Sequence, residues 1–268
     1  MEKRNSYIKE YICGNWKYSI IFLFCFLLLG CVPAGLQSLT PFDFVFLVTK
    51  GFSYQKFRLT EFLYYLFFYI YPLFWINYFL ENEKKDRNVA AKFRYGSIQR
   101  WNFVVLKECI KYVLRYYVQF ICCVALVDTI LVMIRHNSIE EYLFAIQEHY
   151  GVHIEGVYLG FGIALLWRLV ELLLLLEIDL CIYQRGENTL AAFLGTFTVY
   201  LPGAVLRPGN ILIAGLSASY GALEIVALNR TGILIINLLA GLCLVFLLFI
   251  IQIKKTGKLR CIRWNRKE

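Results

Sequence analysis

The sequence predicts an all-α polytopic membrane protein with six transmembrane helices, an N-terminal interfacial helix and a re-entrant or interfacial element before the last span. Composition comes first: 59% of the 268 residues are hydrophobic, 17% aromatic and only 18% charged, against roughly 25% charged in an average soluble protein. A soluble domain could not cover that much apolar surface. Second, several runs approach the roughly 20 apolar residues that an α-helix needs to cross a hydrocarbon core about 30 Å thick. Third, the basic residues are sided. Nineteen Lys and Arg fall in residues 1–17, 81–107, at Arg185 and in 253–268, whereas six (Lys50, Lys56, Arg58, Arg135, Arg207, Arg230) occupy the other connections. That asymmetry is a positive-inside bias, and it predicts an even number of spans with both termini cytoplasmic. The net charge of +9 therefore reads as topology, and no nucleic acid partner is expected.

Residues 1–17 set Tyr7, Ile8, Tyr11, Ile12 and Trp16 at helical spacing among Lys3, Arg4, Lys9 and Lys17. This suits an interfacial helix at the inner headgroups, with a solvated basic tail as the plainer reading. The first span covers about 18–33. Its basic start and the Leu28-Leu29-Gly30-Cys31 sequence also have the form of a lipoprotein leader, which the parity of the spans and the bulk of Leu29 argue against. Residues 34–61 form an outer connection whose apolar 42–48 segment is too short to span. The second span, about 62–80, holds Pro72 at its middle, where a kink is expected.

A charged island follows, and the cytoplasmic region it opens runs over 81–107. Asn88 is expected to cap a short helix, and Gly96-Ser97 to turn the chain into the next one. The third span, 112–134, is preceded by Lys107, Lys111, Arg115 and Gln119, four residues apart, which lay a polar stripe on one helix face. His149 and His153 in the next outer loop have the spacing of a helical metal pair. The position beside the first histidine is Tyr150, where the zinc-protease pattern needs Glu, so no metal is expected. The fourth and fifth spans, 157–182 and 189–203, flank a short inner turn. Pro202-Gly203 and Pro208-Gly209 then break the chain. Residues 210–228 are apolar with many small side chains; a full crossing there would export the basic C-terminus, so a re-entrant or interfacial element is expected before the last span, 232–253.

Polar groups within apolar helices are costly and mark function or pairing. Asp128, Arg168 and Glu171 are the candidates: Arg168 and Glu171 share a helical face, which permits a local ion pair, and Asp128 would extend it into an intramembrane network between neighbouring helices. Glu177 and Asp179 lie near the inner end of the fourth span, within reach of headgroups or Arg185, and Asn77 can be satisfied by a neighbouring helix. No catalytic residue, cofactor site or metal site emerges. Gly257-Lys258 lacks the rest of a phosphate-binding loop, there is no GxSxG, and the nine cysteines form no CxxC pair. The chain reads as a non-enzyme, and any ATP site belongs to a partner.

The order of parts resembles the membrane subunit of an ABC-2-type exporter: a basic amphipathic start, six spans, a charged connection after the second, and a Pro/Gly-broken element before the sixth. Within that connection, Glu81-Asn82-Glu83 followed by Phe93-Arg94-Tyr95-Gly96-Ser97 and Arg100-Trp101 is similar to a stretch of small bacterial permeases of bacteriocin or lantibiotic export and immunity. The resemblance implies a permease subunit in the plasma membrane that works with a separate ABC ATPase subunit and with a second permease copy or a paralogous permease. It would move a hydrophobic or amphipathic substrate, such as an antimicrobial peptide, outward. It also implies that Asn88, Phe93, Arg94, Tyr95, Gly96, Ser97, Arg100 and Trp101 form the ATPase coupling region. Aromatic and Arg side chains are enriched at such interfaces, although they equally suit membrane lipid at the inner leaflet. The alternative is a membrane-embedded toxin-binding, immunity or sensor protein without transport activity.

Overall fold

The computed structural model describes residues 16–31, 59–95, 98–135, 154–186, 188–205 and 231–264, and these are helical throughout save for Asn188. Six helices result: α1 (Trp16–Cys31), α2 (Leu59–Tyr95), α3 (Ile98–Arg135), α4 (Ile154–Gly186), α5 (Thr189–Val205) and α6 (Thr231–Trp264). Among the described residues there is no strand, so the all-α expectation stands. One stretch, Asn102–Met133 of α3, is long and apolar enough by itself to cross a membrane; Lys17–Leu29, Thr189–Thr198 and Leu238–Gln252 are shorter apolar helices. Residues 1–15, the 34–58 part of the first connection, His149, His153 and the 210–228 segment lie outside the described residues.

Helix direction follows from which residues meet. On α1 and α2, Phe22 stacks on Tyr71 and Phe26 on Tyr64, at ring separations of 4.0 and 4.2 Å. Rising numbers on one meet falling numbers on the other, so the pair is antiparallel. The same holds for α2 and α3, where Phe68 meets Phe120 and Tyr71 meets Tyr116. On α3 and α4, Tyr117 bonds the Leu165 carbonyl, while Cys109 lies in electrostatic range of Glu177 and Asp179. By contrast α2 and α4 are parallel, since Tyr69 reaches Glu171 and Asn77 reaches Asp179 at the same offset. Helix α5 returns against α4, with Thr196 at Asp179 and Gly195 at Ile182. Helix α6 runs parallel to α4, with Gly241 at Trp167 and Val170, and Gln252 at Glu177. All six therefore alternate in direction. The start of α1, the α2–α3 junction, the α4–α5 junction and the end of α6 share one end of the bundle, called here the junction end.

One core cluster joins α1 to α5 through Leu23, Phe26, Phe68, Leu73, Phe120, Leu176 and their neighbours, and a second smaller one sets Trp167, Val170 and Leu174 of α4 against Leu238, Val245 and Leu248 of α6. Lys107, Lys111 and Arg115 are exposed and Gln119 half-buried, so the stripe on α3 lies away from the core. Large apolar side chains also face outward, among them Phe67, Phe74, Val118, Ile236 and Phe246.

One expectation is overturned. Helix α2 does not end with its apolar part but continues without interruption to Tyr95, so Asn88 sits inside a helix and caps nothing. Residues 83–95 are rich in Glu, Lys, Arg and Ala, which propagate a helix once it has begun. Helix α2 ends at Tyr95 and α3 begins at Ile98.

Candidate functional site

Pro72 sets up the first of two polar layers. A proline within a helix has no N–H to give the carbonyl four residues earlier, here that of Phe68. Tyr116 of α3 supplies the missing donor: its hydroxyl donates to the Phe68 carbonyl at 3.1 Å. A break in one helix thus becomes a bond between two, as helices in lipid require when a backbone group is freed. Tyr69, the next residue, donates its hydroxyl to Glu171 Oε2 on α4.

Arg168 completes this layer. It is 1% exposed, and its guanidinium lies 5.4 Å from the centroid of Phe68 and 5.9 Å from that of Phe120. The cation from α4 is thus held against rings from α2 and α3, where the negative faces of the aromatics favour it. Glu171, also 1% exposed, sits one turn along α4 on the same face. The structure brings Arg168 and Glu171 together with Tyr69, Phe68 and Phe120.

Asp128 stands apart. Helix α3 runs antiparallel to α4, and Asp128 lies eight residues beyond Phe120, about 12 Å further along the axis at 1.5 Å per residue. Its Oδ1 is buried and accepts no hydrogen bond. Asp128 thus lies apart from Arg168 and Glu171, which meet α2 and α3 through Phe68, Phe120 and Tyr69.

The second layer lies about 12 Å closer to the junction end, eight residues on along both α2 and α4. The Asn77 amide donates to Asp179 Oδ1 at 3.0 Å and Oδ2 at 2.9 Å, and to the Leu73 carbonyl at 3.0 Å. Thr196 of α5 donates to Asp179 Oδ1 at 3.4 Å. Asp179 is 0% exposed, so it reaches neither headgroups nor the exposed Arg185, contrary to the expectation for that end of α4. Around it, Thr189 donates to Glu81 Oε2 at 2.7 Å, joining α5 to α2, and Gln252 of α6 donates to the Glu177 carbonyl at 2.8 Å. Glu177 is buried as well. Four helices meet at this level through polar side chains.

Tyr69, Thr196 and Gln252 carry bonds that the sequence reading passed over. A signal for the α2–α4 pairs was there: Tyr69 and Asn77 are eight apart, and so are Glu171 and Asp179. Two parallel helices with equal spacing bring both donors to both acceptors at once.

The coupling residues fall where the described structure thins. Asn88, Phe93, Arg94 and Tyr95 are placed as α2 backbone, Arg100 and Trp101 as α3 backbone, and Gly96 and Ser97 lie outside the described residues. The charged part of α2 forms an arm over residues 81–95, about 22 Å long at 1.5 Å per residue. Among the described residues, no group of three or more His, Cys, Asp or Glu could hold a metal ion. No family profile, curated protein or solved structure matches the chain.

Proposed function

We propose that this protein is the membrane-spanning permease subunit of an ATP-driven exporter, with α1 to α6 as six crossings and the α2–α3 junction as the docking point for a separate ATPase. One observation carries the reading. Helix α2 continues unbroken from apolar residues packed in the bundle to a charged arm that meets α3 at the junction end. A helix built this way connects whatever grips the arm to the buried layers at Tyr69 and Asn77. Strict alternation of helix direction, with the start of α1, the end of α6 and the α2–α3 and α4–α5 junctions at one end, supports six crossings and a cytoplasmic location for that end. The sequence resemblance supplies the exporter class and a hydrophobic or peptide cargo.

Co-expression with ABC ATPases from the same genome, followed by pull-down in detergent, tests docking. The native chain is expected to retain one ATPase, and Arg94→Glu with Trp101→Ala to lose it. Equal retention by the variant would refute docking at this junction. Protection against a toxic peptide that persists when the retained ATPase is inactivated would favour sequestration over transport.

A further inference from the structure

We infer that α2 works as a hinged lever, with Pro72 as its flexure and Asn77, Asp179 and Thr196 as the positioning residues that carry movement of the arm into α4 and α5. The inference rests on the permease reading only for what pulls on the arm; the lever itself stands on the geometry. Above Pro72, α2 is fixed twice, by Tyr69 to Glu171 of α4 and by the Phe68 carbonyl to Tyr116 of α3. Below Pro72 the helix runs unbroken to Tyr95. A proline is the point at which a helix bends most easily, since one backbone bond is missing there. Swinging the arm therefore moves the lower part of α2 against a fixed upper part.

Below the flexure, past the buried Leu73 and Ile76, Asn77 carries a hydrogen bond to another helix. Its amide faces both oxygens of Asp179, and Thr196 approaches Asp179 Oδ1 from the other side. A buried carboxylate held by donors from two helices resists losing either, because no water is at hand to replace them. Movement of the lower α2 thus draws the end of α4 and the start of α5 with it. The Glu81–Thr189 bond, one turn nearer the arm, couples α5 in the same sense.

The test reads distances in the full-length protein in lipid nanodiscs, without an ATPase. Spin labels on p-acetylphenylalanine, at Lys85 of the arm and Leu190 of α5, leave the cysteines untouched. A second pair at Leu166 of α4 and Leu242 of α6, both exposed, reports on the bundle away from the lever. The native chain is expected to give one narrow Lys85–Leu190 distance. Asn77→Asp sets two carboxylates face to face and should at least double its width, with the Leu166–Leu242 distance unchanged. Asn77→Asp combined with Asp179→Asn exchanges donor and acceptor between the helices and should restore the narrow distribution. Should Asn77→Asp not fold, Thr196→Val and Asp179→Asn, each removing one part of the clasp at constant shape, are expected to broaden the arm distance alone.

A native width in Asn77→Asp overturns the inference. So does a double variant as broad as the single, or broadening that appears equally in both label pairs. Where Asn77→Asp does not fold, native widths in both milder variants overturn it. Because no ATPase is present, a failed pull-down refutes docking and leaves this result standing, and the reverse also holds.

Discussion

Tyr116 offers its hydroxyl to the acceptor that Pro72 releases, so Tyr116→Phe leaves the Phe68 carbonyl buried without a donor. A stability loss of about 0.6 kcal/mol, and at most about 1.7, is expected, the average and maximum measured for interhelical hydrogen bonds in a membrane protein. Thermal unfolding in nanodiscs would measure it. Adding Pro72→Ala should recover most of that loss, because the new N–H takes the carbonyl back within α2. At Gly241 the issue is space: a Cβ there would lie 2.9 Å from Val170 Cγ1 and 3.0 Å from the Trp167 ring. Gly241→Val should push α6 off α4 at a cost of about 1–3 kcal/mol. Gly162→Ala, with nothing within 4 Å, should be neutral or slightly stabilising in the same assay. Individual residues were only partly legible in the sequence. Arg168 and Glu171 declared themselves as charges in an apolar run, but Tyr69, Thr196 and Gln252 belong to types that occur throughout such helices, and only their partners mark them out. Asp128 drew notice for the same reason as Arg168, and misled because the axial register of α3 against α4 is set by packing.

Helix α2 shows what local signals miss. Asn88 has the chemistry of a cap, yet a cap is needed only where a helix begins, and here one is already running. The two arrangements differ in a measurable way. If Asn88 were a cap, Val89 would be the first helical position, where proline is well tolerated. In the interior of α2, Val89→Pro should cost the arm about 3 kcal/mol. Hydrogen exchange over residues 81–95 is expected to rise in that variant, with α3 and α4 unchanged. The turn expected at Gly96-Ser97 lies outside the described residues, between the end of α2 at Tyr95 and the start of α3 at Ile98. Helix existence was clear from the apolar runs. The ends of α2 and α6 were not, since apolarity reports where lipid would end rather than where backbone hydrogen bonding ends.

For the whole molecule, the number of crossings expected from charge is a matter for a topology experiment. Charge asymmetry predicts an even number of crossings, and the packing contacts bring the start of α1 and the end of α6 to one end of the bundle. A reporter fused after Glu268 is therefore expected to be active only as a cytoplasmic enzyme; activity of an exported reporter at that position would refute six crossings.

The division of the interior into two clusters bears on biogenesis. Among the described residues, the core contacts of α6 lie in the small group on Trp167, Val170 and Leu174, with Phe249 against the main cluster, and Gly241 fits closely against α4. Helix α6 thus docks on a surface already built by the helices before it. Arg168 and the Phe68 and Phe120 rings come from α2 to α4, so that layer can close before α6 docks, whereas the Asp179 level gains its Gln252 bond only with α6 in place.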